Sequence, residues 1–325
     1  MVTDPSPVRK KRIHKTTRTR KDHSDLMTRV RTGAIEGIVL IVFILPGRWV
    51  AFFPIILFIF ITFMMTIEHV KAVNLRMPGL KVIPTALMTV FIGLTAYLGI
   101  LKDSFVRGLP MELVKSVDAT LALRSLGVYA LFLVVLFPLI GLPRLWKRGS
   151  EALPIVIANV WIIFSCSLPL ASSIALLYGY PIGWRYFVLA VITTVLSDSA
   201  AYFVGKAWGK HQMVPTLSPN KTWEGTLGGV LMTVILYLIY VPLLIGKPLG
   251  FSTAGSLVFA LITAILMSAV STFGDLTSSA LKRWCNIKDF GTLLPGHGGI
   301  SDRFDSLKTA LPTMLAIATL AQRLV

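Results

Sequence analysis

Seven stretches of roughly 20 mostly apolar residues, at 49–67, 83–101, 123–141, 153–178, 183–205, 225–245 and 253–277, are each long enough to cross a bilayer as a helix. Two shorter runs add to them. The run 33–45 carries Glu36, and the run 306–324 carries Lys308 and Arg323, so these two are the ones expected to be partial or re-entrant. The expectation is an all-α integral membrane protein of nine transmembrane helices. Composition agrees: of 325 residues, 54% are hydrophobic and 14% charged, with a mean hydropathy of +0.74. A soluble domain carries nearer a quarter charged residues. Two cysteines, Cys166 and Cys285, are too few for a disulfide scaffold and lack metal-ligand spacing.

The formal charge is +17, and much of it sits in a tail over residues 1–32, where Arg9, Lys10, Lys11, Arg12, Lys15, Arg18, Arg20 and Lys21 crowd together. The tail is too long and polar for the leading part of a secretory signal, and no small-residue cleavage site follows it, so it is expected to stay attached. Such a run reads as a disordered, solvated tail, the sharper alternative being attraction to anionic lipid at the cytoplasmic face. No nucleic-acid partner is expected. Short cytoplasmic loops carry an excess of Lys and Arg. With the tail inside, the second loop (His69, Lys71, Arg76, Lys81), the fourth (Arg144, Lys147, Arg148), the sixth (Lys206, Lys210, Lys221) and the eighth (Lys282, Arg283, Lys288) all fall in the cytoplasm. The intervening loops are poorer in charge or balanced. The N-terminus is therefore expected inside and the C-terminus on the far side. Ionisable residues are scarce in spans one to five, over 33–178, which read as scaffold. The chemistry is expected in 179–325, spans six to nine.

A carboxylate at membrane depth is a functional hypothesis by default. Asp198 is the first, with Tyr202 and Gly205 on the same helical face. Next comes SPNKTWEGTLGG, in which Pro219 is expected to stop a helix, Lys221 and Thr222 offer a cation and a hydroxyl, and Glu224 opens the next span. Lys221 can neutralise a phosphate beside backbone N–H groups at a helix start, although a lysine in an inside loop also serves topology alone. From Phe273 to Leu307 the signal strengthens. Asp275, Ser279 and Lys282 share a helical face, and Asp302 and Asp305 flank Arg303 at an expected helix start, again on one face. Three carboxylates beside five cations (Lys221, Lys282, Arg283, Lys288 and Arg303) suit phosphoryl or nucleotidyl transfer. Such a reaction needs Mg²⁺ held by carboxylates and phosphate oxygens, with cations to neutralise the leaving group. Asp275, Asp302 and Asp305 fit as ligands, and Lys282, Arg283 and Arg303 as a phosphate clamp. The glycines from Gly296 to Gly299 let backbone approach an anion, and His297 among them suits hydrogen bonding or loop ordering rather than base catalysis.

The run 279–305 resembles the signature of phosphatidate cytidylyltransferases. It holds Ser279, Leu281, Lys282 and Arg283, then Lys288, Asp289, Gly291, Leu294 and Pro295, then His297, Gly298, Gly299, Ile300, Asp302, Arg303 and Asp305. Upstream, Asp198, Ala201, Tyr202, Gly205, Gly209, Ser218, Pro219, Lys221, Thr222, Glu224, Gly225, Gly274 and Asp275 agree as well. The resemblance implies a nine-span homodimer with a polar cavity facing the cytoplasm and a dinuclear site of Mg²⁺ and K⁺. Its ligands would be Asp275, Asp302 and Asp305, with Asp198 contributing. It also implies that the phosphate of phosphatidic acid attacks the α-phosphorus of CTP, giving CDP-diacylglycerol and pyrophosphate. Asp275, Asp302, Lys221, Lys282, Arg283 and Arg303 would carry catalysis. Substrate contacts would come from Ser218, Asn220, Lys221, Thr222, Ser279, Lys282, Arg283, Lys288, His297, Gly298, Gly299 and Arg303. Asn220 departs from the glycine that many relatives have there. A bacterial inner membrane with a cytoplasmic site is the expected location. The alternatives are a CTP-dependent polyprenol or phytol kinase, in which a hydroxyl attacks the γ-phosphate, and, from another class, a membrane transporter. A CDP-alcohol phosphotransferase fits less well still, since its paired-aspartate pattern is absent.

Overall fold

Each apolar run becomes a helix, and most helices outlast the run that announces them. The computed structural model describes residues 35, 37–48, 50, 52–98, 119–180, 182–294 and 298–323. The basic tail, Glu36, the third loop and His297 lie outside the described residues. A helical run over 37–44 and a 3-10 turn at Pro46–Arg48 lead into α1 (Phe52–Arg76) and α2 (Val82–Leu98). Then come α3 (Ala119–Arg148), a 3-10 turn at Gly149–Ala152, α4 (Leu153–Gly179) and α5 (Gly183–Trp208). A small antiparallel hairpin, β1 (Gln212–Val214) and β2 (Ser218–Thr222), precedes α6 (Trp223–Val241), α7 (Thr253–Trp284) and α8 (Leu307–Arg323).

Five helical segments among the described residues are long and apolar enough to cross a membrane: Phe52–Arg76, Leu123–Gly179, Gly183–Trp208, Trp223–Leu249 and Thr253–Trp284. The second of these is two helices, α3 and α4, folded against one another through the turn at Gly149–Ala152. The helices α2 and α8, at 17 residues each, are shorter. With α3 and α4 counted separately, six helices among the described residues are long and apolar enough to cross, fewer than the nine expected. The outer faces of α6 and α7 expose Leu227, Leu231, Ile235 and Ile239, and Val258, Ile262 and Ile265. A contiguous apolar face of this size would drive a soluble protein to associate, and here it is the surface that meets lipid.

The core centres on α4, which touches α1, α2, α3, α5 and α8. Its second half, from Pro169 to Leu177, is buried without interruption. Many hydroxyls inside the helices bond back to the preceding turn, as Thr66 does to the Thr62 carbonyl (2.7 Å) and Thr193 to Leu189 (2.6 Å), which satisfies those buried donors. Two helix starts are capped by side chains: the Thr222 hydroxyl accepts the Gly225 N–H (3.1 Å), and Ser252 accepts that of Gly255 (3.0 Å).

Three expectations change. Helix α5 ends at Trp208, well before Pro219, because Gly209 turns the backbone to an extended conformation. Pro219, Asn220 and Lys221 then lie on β2. His69, Lys71 and Arg76, expected in a loop, belong to α1, since a helix satisfies its own backbone hydrogen bonds and need not stop where apolarity does. Asp302 and Asp305 lie in turns ahead of α8 rather than on a helix.

Candidate active site

Four segments meet around the end of α7: Asp198 on α5, Lys221 on β2, the last turns of α7 itself, and the connection 285–306. Asp275 on α7 forms an ion pair with Lys221, and its carboxyl lies against that of Asp305. Two carboxyls can share such a contact only with a proton or a cation between them. Burial, and then the adjoining charge of Asp275, push the Asp305 carboxyl well above the usual carboxylate range. Ser306 links this pair to the next acid. Its N–H donates to Asp305 Oδ1 (2.9 Å) and its hydroxyl to Asp198 Oδ2 (3.1 Å). The charges of Asp275, Lys221 and Arg303 all act on Asp198.

Asp302 has different company. Its Oδ1 accepts from the Lys282 ammonium (2.8 Å), and its Oδ2 accepts the N–H groups of Phe290 and Gly299, both at 2.9 Å. The Lys282 and Asp302 side chains are 12% and 5% exposed. Asp302 thus ties both ends of the connection to α7. Leu294 and Gly298 exchange backbone hydrogen bonds at 2.9 and 3.1 Å.

The remaining expected residues are placed as follows. Ser279 is buried on α7, one turn from Asp275. Arg283 donates to the carbonyls of Leu217 (3.3 Å) and Ile287 (3.1 Å), so its guanidinium fastens the tip of the hairpin to α7. Ser218 and Asn220 lie on β2, half-buried and exposed, and Lys288 is exposed. Thr222 is occupied as the cap of α6. Tyr202 is exposed on α5, with the Lys206 ammonium 5.9 Å from the centre of its ring. Glu224 accepts from His211 Nδ1 (2.6 Å) and from the N–H of Lys210 (3.1 Å), bracing the base of the hairpin.

Two residues that sequence reasoning passed over come from α1. Glu68, 8% exposed, accepts the N–H of Ile300 at Oε1 (3.0 Å) and that of Ser301 at Oε2 (2.7 Å). His69 stacks on Phe290 with ring centroids 4.4 Å apart. Its Nδ1–H donates to the Met65 carbonyl (2.8 Å), leaving Nε2 to accept from Lys308 (3.1 Å). A signal existed: acid and histidine side by side, just past an apolar run whose helix has no breaker until Pro78.

Among the described residues, no three Asp, Glu, His or Cys side chains form a ready-made metal cluster. That does not conflict with Mg²⁺, which takes one or two carboxylates and completes its shell with water and substrate phosphates. The contact between Asp275 and Asp305 calls for positive charge, and so fits such an ion.

The chain matches the sequence profile of the cytidylyltransferase family over residues 27–321 and belongs to that family. It is 30% identical over 255 residues to the phosphatidate cytidylyltransferase of Haemophilus influenzae, covering 75% of this chain and 82% of that protein. It is 39% identical over 138 residues to the phosphatidate cytidylyltransferase of Bacillus subtilis, covering 42% and 49%. The figures for the Mycobacterium bovis protein of the same name are 36% over 179 residues, covering 54% and 52%. The matches to the Bacillus and Mycobacterium proteins span about half the length of those relatives. The family resemblance read from 279–305 is borne out.

Proposed function

We propose that this chain joins CTP to phosphatidic acid, forming CDP-diacylglycerol and pyrophosphate. The observation that carries the reading is the pairing of Lys221 with Asp275 and of Lys282 with Asp302 around the end of α7. The names of the relatives support the choice of substrates.

In this reading a phosphate oxygen of phosphatidic acid attacks the α-phosphorus of CTP. The new P–O bond forms as the bond from the α-phosphorus to the oxygen bridging the β-phosphate breaks, and the electron pair leaves with pyrophosphate. The nucleophile is already an anion, so no general base is required. Asp275 and Asp305, with Asp198 beside them and Asp302 through Oδ1, would hold Mg²⁺, and K⁺ as a second cation, which supply neutralising charge at the phosphates when bound. Lys221 and Lys282 each hold a carboxylate and can exchange it for a phosphate oxygen. Arg303 adds a further cation beside Asp198. Arg283 serves by holding the hairpin against α7, which keeps Lys221, Asn220 and Ser218 in place. Ser279, Lys288, Gly298, Gly299 and His297 complete the proposed substrate contacts.

The proposed setting is nine crossings of a bacterial cell membrane, N-terminus and site in the cytoplasm, as a homodimer. The alternation of basic loops and the bacterial relatives support the membrane placement. The test of function is pyrophosphate release by the detergent-solubilised protein given CTP, dioleoyl phosphatidic acid and Mg²⁺. Release that needs all three, with a CDP-lipid product, is expected. No product from phosphatidic acid, with CDP formed when a polyprenol is supplied, overturns it in favour of a lipid kinase. The family match begins at residue 27. Deleting residues 1–26 is accordingly expected to leave turnover in detergent unchanged, measured in the same assay.

A further inference from the structure

We infer that Glu68 is a positioning residue for this reaction, its carboxylate seated as a built-in anion in the glycine-lined turn of the 298–302 loop so that Asp302 and Lys282 are held ready for the nucleotide phosphates. The inference rests on the cytidylyltransferase reading for its purpose, although not for its geometry.

Two consecutive backbone N–H groups pointing at one carboxylate form an anion-binding turn of the kind that elsewhere takes phosphate. Here both are filled by Glu68, 232 and 233 residues away in the chain. The space for it is made by absent side chains. A Cβ at Gly299 would stand 2.5 Å from Glu68 Oε1 and 2.6 Å from Oε2, and a Cβ at Gly291 would stand 2.5 Å from Oε1. Any other residue at these two positions would push the carboxylate out. Glycine at 291 and 299 therefore makes a slot for a protein side chain on this face of the loop.

What the slot controls lies one residue on. Ser301, held by Glu68, precedes Asp302, and Asp302 takes the N–H of Gly299, the N–H of Phe290 and the Lys282 ammonium. His69, next to Glu68, holds the other end of the loop through its stack on Phe290, and its Nδ1 lies 3.1 Å from the Ser301 hydroxyl. Two successive residues of α1 thus fix the loop at both ends. Both Glu68 oxygens are engaged and walled in by glycine, so Glu68 acts through the loop and not on the reacting atoms.

The test compares wild type with Glu68→Gln, Gly299→Ala, Glu68→Ala and the double variant Glu68→Ala/Gly299→Ala. Hydrogen exchange is read on the peptide covering 298–306, together with kcat and KM for phosphatidic acid. In Glu68→Gln one backbone N–H meets an amide NH₂ instead of an oxygen, so exchange at Ile300 and Ser301 is expected to rise about tenfold while α4 stays protected. The kcat is expected to fall roughly 10²-fold, the loss typical of mis-set charged groups at a phosphoryl site, with KM for phosphatidic acid unchanged. Gly299→Ala should reproduce both effects, and the double variant should be no worse than Glu68→Ala alone, because the clash vanishes with the carboxylate. Unaltered exchange in Glu68→Gln, or losses that simply add in the double variant, overturns the inference. Should Glu68→Gln fail to fold, the exchange of Gly299→Ala decides in the same way. Should wild type show no turnover with CTP and phosphatidic acid, the functional reading fails, and the exchange data still decide whether Glu68 holds the loop.

Discussion

Asp305→Asn is expected to abolish turnover while leaving the protein at least as resistant to heat in the presence of a chelator. The two outcomes have one cause. Asp305 is buried against Asp275, and a second negative charge in such a place is unfavourable. An asparagine of the same shape removes the repulsion and can still accept the Ser306 N–H. It cannot, however, offer a charged oxygen to a cation at the phosphates. A metal's neutralising effect there is worth several kcal/mol, so a loss of about 10³-fold or more in kcat is expected. Measuring kcat and the unfolding temperature on the same preparation, with and without Mg²⁺, checks the pair of effects. A stabilisation by Mg²⁺ present in wild type and missing in Asp305→Asn would place the ion at this residue. A variant that keeps near-normal turnover would remove Asp305 from the site. Groups kept at a cost to stability are common where chemistry demands them.

The second large effect belongs to Lys282→Met, and its sign on stability is opposite. Lys282 and Asp302 are both largely enclosed, and Asp302 Oδ1 has Lys282 as its ammonium partner. Breaking such a pair by removing one member typically costs about 3–5 kcal/mol, because a carboxylate is left buried without its counter-charge. Lys282→Met should therefore lower the unfolding temperature markedly as well as suppress turnover. Adding Asp302→Asn should restore most of the stability, since the amide oxygen can still accept the N–H groups of Phe290 and Gly299. Turnover should not return, because the cation is still missing. If the double variant is no more stable than Lys282→Met alone, the charge pair is not what the connection leans on.

Much of this was legible in the sequence, and where it was not the reason is physical. Apolar runs gave the helices of the second half to within a few residues, because burial in lipid and helix formation coincide there. They failed at helix ends. The bilayer decides where apolarity stops, whereas hydrogen bonding decides where the helix stops, and α1 and α7 run on to Arg76 and Trp284. Those overhangs carry Glu68, His69, Ser279, Lys282 and Arg283. The helical spacing of Asp275 and Lys282 was readable, and both do reach the connection 285–306. The three-residue spacing of Asp302 and Asp305 misled, because turns at 301–306 send one to Lys282 and the other to Asp275. The hairpin around Lys221 was invisible to periodicity: three- and five-residue strands are too short to show any. Glu68 was missed for a plainer reason. Its partners are backbone N–H groups, which leave no trace in side-chain pattern.

The bond between Glu68 and the turn at Ile300 also sets a schedule for biogenesis. A ribosome adds roughly 5–20 residues per second, so on the order of tens of seconds separate the emergence of Glu68 from that of the turn it fills. For that interval the nascent chain carries an unmatched acid at the end of an already inserted helix, and Asp275 waits likewise for Asp305. The catalytic end of the protein is therefore the last part to become complete.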